Sequence, residues 1–331
     1  MSIFKNVFND LNPFQNKGPV PTNDVSRGMS SKYLTSLIGT PQAGKTVLTS
    51  LIFYTARTLQ QQLHGFHCSI DDTNSTIKQD VCNIESGHFP PKTEAYNTYA
   101  YQCALDMWWG QGSLFGKKSA RFDVVDLAGE DQLTQSKFTT KKPSDAAFSA
   151  ATQLVEYIYR SEIFIMAAPA SRAPIFDNDV SVEQEEVDTL FNPDVRLSDI
   201  FDQIIKKRIA ARQPIKGVAF CLTKCDMIDK YVEAKYGWNL YQSAADRLAF
   251  VNKYFPWTGM SLKSLSDHWP QTQIEIFPMF VETLKNGDGT QKKWQTGWDN
   301  GNPQIDVTDR VPKYNAQANV DLINFIGRLI G

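Results

Sequence analysis

The segment GTPQAGKT fills positions 39 to 46, directly after the apolar run YLTSLI. It fits the spacing G-x-x-x-x-G-K-[ST], which suits a chain of phosphates. Glycines let backbone N–H groups turn inward around phosphate oxygens. A helix that begins at such a turn adds unpaired N–H groups and the positive end of its dipole. Lys45 carries an ammonium long enough to reach terminal phosphates, and Thr46 offers a hydroxyl to a Mg²⁺ ion. Pro41 has no N–H to give. The cradle therefore falls to Gln42, Ala43, Gly44, Lys45 and Thr46, with Gly39 at its entrance and Val47 leading into the helix.

Two later segments supply side chains for the rest of a nucleotide. In FDVVDLAGED, residues 122 to 131, Asp126 ends an apolar run and is placed to hold a metal ion or its water shell. Gly129 can present its N–H to a terminal phosphate, and the carboxylate of Glu130 can orient an attacking water or remain a plain surface group. Asp123 lies three positions before Asp126, so along a strand the two face opposite sides. In VAFCLTKCD, Thr223, Lys224 and Asp226 follow another apolar run. A carboxylate there can accept two hydrogen bonds from guanine, one from the ring N–H and one from the exocyclic amine. Adenine lacks that paired donor edge. The stem of Lys224 can cover the base, and the hydroxyl of Thr223 can brace the phosphate loop.

GTPQAGKT, DLAG and TKCD occur in the order found in P-loop GTPases, and the set resembles the Ras-like small GTPases from about residue 33 to about residue 283. The resemblance implies that Lys45 and Thr46 meet the β- and γ-phosphates and magnesium, with Asp126 linked to the metal. It implies that Gly129 senses the γ-phosphate and that Asp226 specifies guanine beside Lys224. It also implies a threonine in a mobile first switch; Thr93 is the best match, as a metal ligand and a γ-phosphate contact, with Thr73 and Thr76 as rivals. Two departures stand out. TKCD replaces the commoner N-K-x-D, and Glu130 stands where a water-orienting Gln is usual, which implies slow intrinsic hydrolysis. The cofactors implied are GTP or GDP and Mg²⁺. A P-loop ATPase or assembly factor, and a GTP-binding interaction protein without hydrolysis, remain as alternatives.

These side chains must be positioned by a scaffold, and the pattern around them describes one. Strands are expected near residues 33–38, in IFIMAAPA, in GVAFCLT and in IEIFPMF, alternating with helices after Thr46, over 198–212, over 241–254 and in NVDLINFIGRLI. QCALDMWW and FDVVD read as two antiparallel strands joined through a glycine-containing loop. The fold class is therefore α/β: a mostly parallel central sheet flanked by helices, P-loop NTPase-like, with one antiparallel edge strand. Residues 31–331 read as a single elaborated domain with insertions near 65–92, 171–197 and 284–316, and residues 1–30 as an extension.

Composition narrows the partners. The chain has 331 residues, 42% hydrophobic and 21% charged, with a formal net charge of −2, so it can bury a sizeable core and has no general affinity for nucleic acid. No run reaches the 18 or more apolar residues of a membrane span. Residues 3–14 carry apolar positions at helical spacing with few basic residues, which suits a helix folded back on the domain better than a peripheral membrane contact. Five sparse cysteines do not suggest a disulfide framework, and a cytoplasmic setting is expected. The inserted loops are the expected surface for a protein partner or regulator.

Overall fold

The computed structural model describes residues 33–40, 42–63, 66–70, 75–91, 101–109, 118–126, 158–171 and 192–330, and of 66–70, 75–76, 101–109 and 118–126 the backbone alone. Thr93, Gly129, Glu130 and residues 3–14 lie outside the described residues.

The strands and helices follow in the order β1 (Tyr33–Gly39), α1 (Lys45–Thr58), β2 (Phe66–Ile70), α2 (Ser75–Glu85), β3 (Tyr101–Trp109), β4 (Lys118–Asp126) and β5 (Ile163–Pro169). Then come α3 (Pro193–Ala210), β6 (Gly217–Thr223), α4 (Asp229–Tyr236), α5 (Ala244–Tyr254), α6 (Pro256–His268) and β7 (Gln273–Pro278). A short hairpin of β8 (Val307–Thr308) and β9 (Val311–Pro312) precedes α7 (Ala316–Ile330). Among the described residues the sheet has seven strands in the order β2-β3-β4-β1-β5-β6-β7. Strands β4, β1, β5, β6 and β7 are parallel, and β3 runs antiparallel to both β4 and β2. The α/β P-loop class expected from sequence is the one found. The antiparallel strand is β3, and β2 adds one further strand outside it, within a stretch that reads from sequence as an insertion.

The central strands β5 and β6 are buried along their whole length and almost wholly apolar because both faces are covered. On β5, Ile163, Ile165 and Ala167 join one core with α1 and α7, while Phe164, Met166 and Ala168 join another with α3, α5 and α6. Alternation along the strand sends neighbours to opposite faces. α7 shows the complementary helical logic. Val320, Ile323 and Phe325 are buried, Arg328 reaches out to Glu275 at 2.6 Å, and Asn315 accepts from the N–H of Ala318 at the helix start.

Three regions carry more structure than their polarity suggests. Residues 75–85 form α2, whose Ile77, Val81 and Ile84 are buried. α3 begins at Pro193 rather than near 198, because the side chain of Asn192 accepts from the N–H groups of Asp194 and Val195. Residues 281–314 are a laddered strap, with bridges Val281–Tyr314, Thr283–Ile305, Lys285–Gln291 and Lys293–Pro303. Among the described residues no helix is long and apolar enough to cross a membrane.

Candidate nucleotide site

The parallel strands end together, and β1 marks the point where the chain changes sides. After β1 it crosses to the sheet edge at β2 and builds inward through β3 to β4 beside β1, then builds β5, β6 and β7 outward on the other side. A crevice opens outside the carboxyl ends of strands at such a switch point. The residues at those ends are Gly39, Asp126, Pro169, Thr223 and Pro278.

Gly39 is the last residue of β1 because nothing larger fits. A Cβ there would lie 2.7 Å from the carbonyl oxygen of Ala167 on β5. Gln42 and Gly44 then take left-handed backbone angles, φ 60° and 77°. For Gln42, a non-glycine residue, that conformation stores strain of the kind found at ligand sites. Gly44 is the N-cap of α1 and has no side chain to cap with, so the first-turn N–H groups face the loop. Lys45 is buried, and its ammonium donates to the carbonyls of Gly39 at 3.1 Å and Thr40 at 3.2 Å. It is held along the loop it would serve.

The second wall comes from β6. The hydroxyl of Thr223 lies 2.8 Å from the carbonyl of Ala43 and 3.3 Å from that of Ala168. The brace expected of this threonine is present as a hydrogen bond. Lys224 is left-handed at φ 59° and caps a short 3₁₀ turn, Cys225–Met227. Cys225 is fully buried; its thiol donates to Leu222 O and its N–H to Met279 O. Anchoring Cys225 inward turns Asp226 toward the cleft. Burial pushes the Asp226 carboxyl up to about 6, and the nearby carboxylates of Asp229 and Glu282 add to it. At neutral pH it is ionised, an acceptor-only group at the cleft wall.

Gln42 through Thr46 and Thr223, Lys224 and Asp226 line one cleft of about 620 Å³. That volume falls within the range of small-molecule sites. A larger groove of about 1090 Å³ runs between α5, α6, β7 and α7, but it contains neither the phosphate loop nor the TKCD segment. The smaller cleft is the candidate site, since it alone of the two offers the loop N–H groups. Asp126 ends β4, paired with Leu37 of β1 two residues before the phosphate loop. Its backbone is therefore adjacent to that loop.

No protein-family model matches the chain, and no curated protein matches it. The architecture is of the nucleotide-binding, NTPase type. Sequence reasoning missed two features of the site. One is the left-handed backbone at Gln42 and Lys224, which neither residue type signals. The other is the far wall of the cleft, where Phe89, Pro90 and Pro91 face residues of the 281–314 strap. The strap's polarity concealed its place there. Among the described residues no three His, Cys, Asp or Glu side chains gather into a metal cluster.

Proposed function

We propose that this protein binds a guanine nucleotide and hydrolyses GTP slowly, as a switch of the Ras-like type with large insertions. One observation carries the reading: the phosphate loop and Asp226, 180 or more positions apart in sequence, open onto a single cleft. The phosphates lie along the amides of residues 42–46, and the purine edge meets Asp226. The ionised carboxylate of Asp226 matches the paired donors of guanine and is repelled by the ring N1 acceptor that adenine has in place of guanine's N1–H.

The chain's own groups account for most of the chemistry. Lys45 moves from two loop carbonyls to the terminal phosphates, where it offsets the charge that develops on the transferring phosphoryl group. The amides of the loop and the start of α1 do the same without rearranging. Thr46 and Asp126 supply a hydroxyl and a carboxylate, oxygen donors of the kind Mg²⁺ prefers. Thr46 lines the cleft, and the backbone of Asp126 is paired with the strand that leads into the phosphate loop; by chemical type the two residues fit such an ion. Bound there, Mg²⁺ would neutralise phosphate charge. Gly129, Glu130 and Thr93 complete the proposal by resemblance: a γ-phosphate contact, a water-orienting group and a first-switch threonine. Glu130 in place of Gln favours slow turnover.

The test is to identify the nucleotide carried by freshly purified protein and then to compete GTP against ATP with magnesium present. Guanylate is expected, and Lys45→Ala is expected to lose it. Equal competition by ATP overturns the guanine assignment. Single-turnover release of phosphate separates a slow GTPase from a binding protein that does not hydrolyse.

A further inference from the structure

The 281–314 strap is not a loose excursion. Val281, Thr283, Gln291, Asn302 and Pro303 line the candidate cleft, opposite Gln42 through Thr46. Its underside packs on the first turns of α1. Ile305 is buried against Leu51 and Ile84, with Val47, Phe89, Val281 and Val307 around them. Tyr314 hydroxyl lies 2.9 Å from Thr55 Oγ1 at the far end of the same helix.

A small group of contacts fastens the strap's outer part. The Ile305 N–H donates to Gly87 O at 2.8 Å, and the indole N–H of Trp294 reaches the same oxygen at 3.4 Å. Gly87 is left-handed at φ 85°, and a Cβ there would lie 3.4 Å from Ile305 O. The next residue, His88, stacks on Trp294 with centroids 3.9 Å apart and planes 7° from parallel. Its Nδ1 meets Asp299 Oδ2 at 2.5 Å, and Asp299 is 1% exposed. A buried carboxylate is costly without a partner, so this pair resists opening. His88 is also followed at once by Phe89, Pro90 and Pro91, which line the cleft. Strap and cleft wall are thereby joined at residues 87 to 89, with His88 at the centre.

We infer that the strap is the outer wall of the nucleotide cleft, and that His88 and Asp299 are positioning residues that hold it closed, so that their contact must open before a bound nucleotide leaves. The inference rests on the nucleotide reading above. It deepens that reading, because it names which residues set the release rate.

Full-length wild type, His88→Ala, Asp299→Ala and Asp299→Asn are compared by three readouts. These are release of a fluorescent GDP analogue and of its ADP counterpart on chase, thermal melting, and amide exchange of residues 45–51 without nucleotide. The two alanine variants are expected to release either analogue about tenfold faster or more, the scale of one lost charge-assisted hydrogen bond. They are also expected to exchange faster at 45–51. Asp299→Asn, which still accepts from the imidazole N–H, is expected to recover most of both effects. The ratio of GDP to ADP retention is expected to stay at its wild-type value. Lower melting with unchanged release and unchanged exchange overturns the inference, since the pair is then only structural. Equal retention of both analogues by wild type refutes the guanine reading and leaves the strap result to be read from the release rates. If wild type retains neither, the exchange at 45–51 alone decides whether the strap covers the loop.

Discussion

The hydroxyl of Thr223 donates to the carbonyl of Ala43 across 2.8 Å, joining two loops whose contact spans 180 positions of chain. Through it, the strand end that carries Asp226 and the turn that cradles phosphates share one geometry. Thr223→Val keeps the shape, removes the donor, and leaves a buried carbonyl unpaired. The expected loss is about 1–2 kcal/mol in denaturant unfolding, with weaker nucleotide binding. Thr223→Ser restores both. Unchanged binding in the valine variant, measured by titration, would show that the two loops are set independently.

Gly39 and Gly44 fit the same motif for different physical reasons, and substitution separates them. At Gly39 the obstacle is the backbone of β5, with Ala167 O 2.7 Å and Ala167 Cβ 3.1 Å from an added methyl group. Neither can turn aside. At Gly44 nothing lies within 4 Å, and the obstacle is its own φ of 77°. Gly44→Ala is expected to cost about 1–2 kcal/mol. Gly39→Ala is expected to cost about 3 kcal/mol or more, because β1 and β5 must part. Equal melting temperatures would refute the steric account of Gly39.

What sequence reveals here depends on how far apart cause and effect lie. The phosphate loop is legible because its constraints are local: a strand, two glycines, a helix start. GVAFCLT is legible as β6 to the residue, since burial on both faces selects an almost unbroken apolar run. Arg208 shows the opposite. In sequence it ends a short basic run, Lys206-Lys207-Arg208, too short for a nucleic-acid patch and with nothing to mark its last member as buried. In the fold it is 3% exposed, and its guanidinium donates to the carbonyls of Tyr159, Arg160 and Pro214 and to Gln213. Those acceptors come mostly from a segment nearly 50 positions away or from the turn beyond the helix, and no periodicity announces them. The strap is obscure for the same reason: its few buried residues, Asp299 and Ile305 among them, are separated by exposed polar ones.

Asp226 links recognition to pH. Its folded-state pKa, about 6, lies above the ordinary 3.8, chiefly because the carboxyl is desolvated. Ionising it therefore works against folding at neutral pH, and that penalty is relieved as pH falls from above 6 toward 4. Asp226→Asn carries no such penalty. The variant is expected to melt higher than wild type at pH 7 without nucleotide, with the gap closing by about pH 4. Wild-type preference for GTP over ATP is expected to fall as pH drops through 6, where the paired acceptor is lost, while Asp226→Asn shows little preference at any pH. A GTP preference that Asp226→Asn retains would remove the base assignment.

Asp194 makes a further prediction about the scaffold beneath the site. It lies in the first turn of α3 and is 3% exposed, yet its carboxylate serves another helix. Oδ2 accepts from the N–H of Trp257 at 2.9 Å, and Oδ1 from that of Thr258 at 2.7 Å. These are first-turn N–H groups of α6, whose own N-cap, Phe255, has no side chain to offer them. Thr258 returns a bond from its hydroxyl to Asp194 O at 3.3 Å. α3 and α6 are thus clasped over the face of the sheet that presents Phe164 and Phe220, against which Phe201 of α3 packs. Asp194→Ala strands two donors, one of them on the fully buried Thr258. The expected loss is about 2 kcal/mol, with faster amide exchange confined to the start of α6. Asp194→Asn keeps a single acceptor and is expected to lose about half as much. Because the clasp lies on the face of the sheet away from α1, GTP preference is expected to survive both changes. A shift in that preference would mean that the two faces of the sheet are coupled through β6.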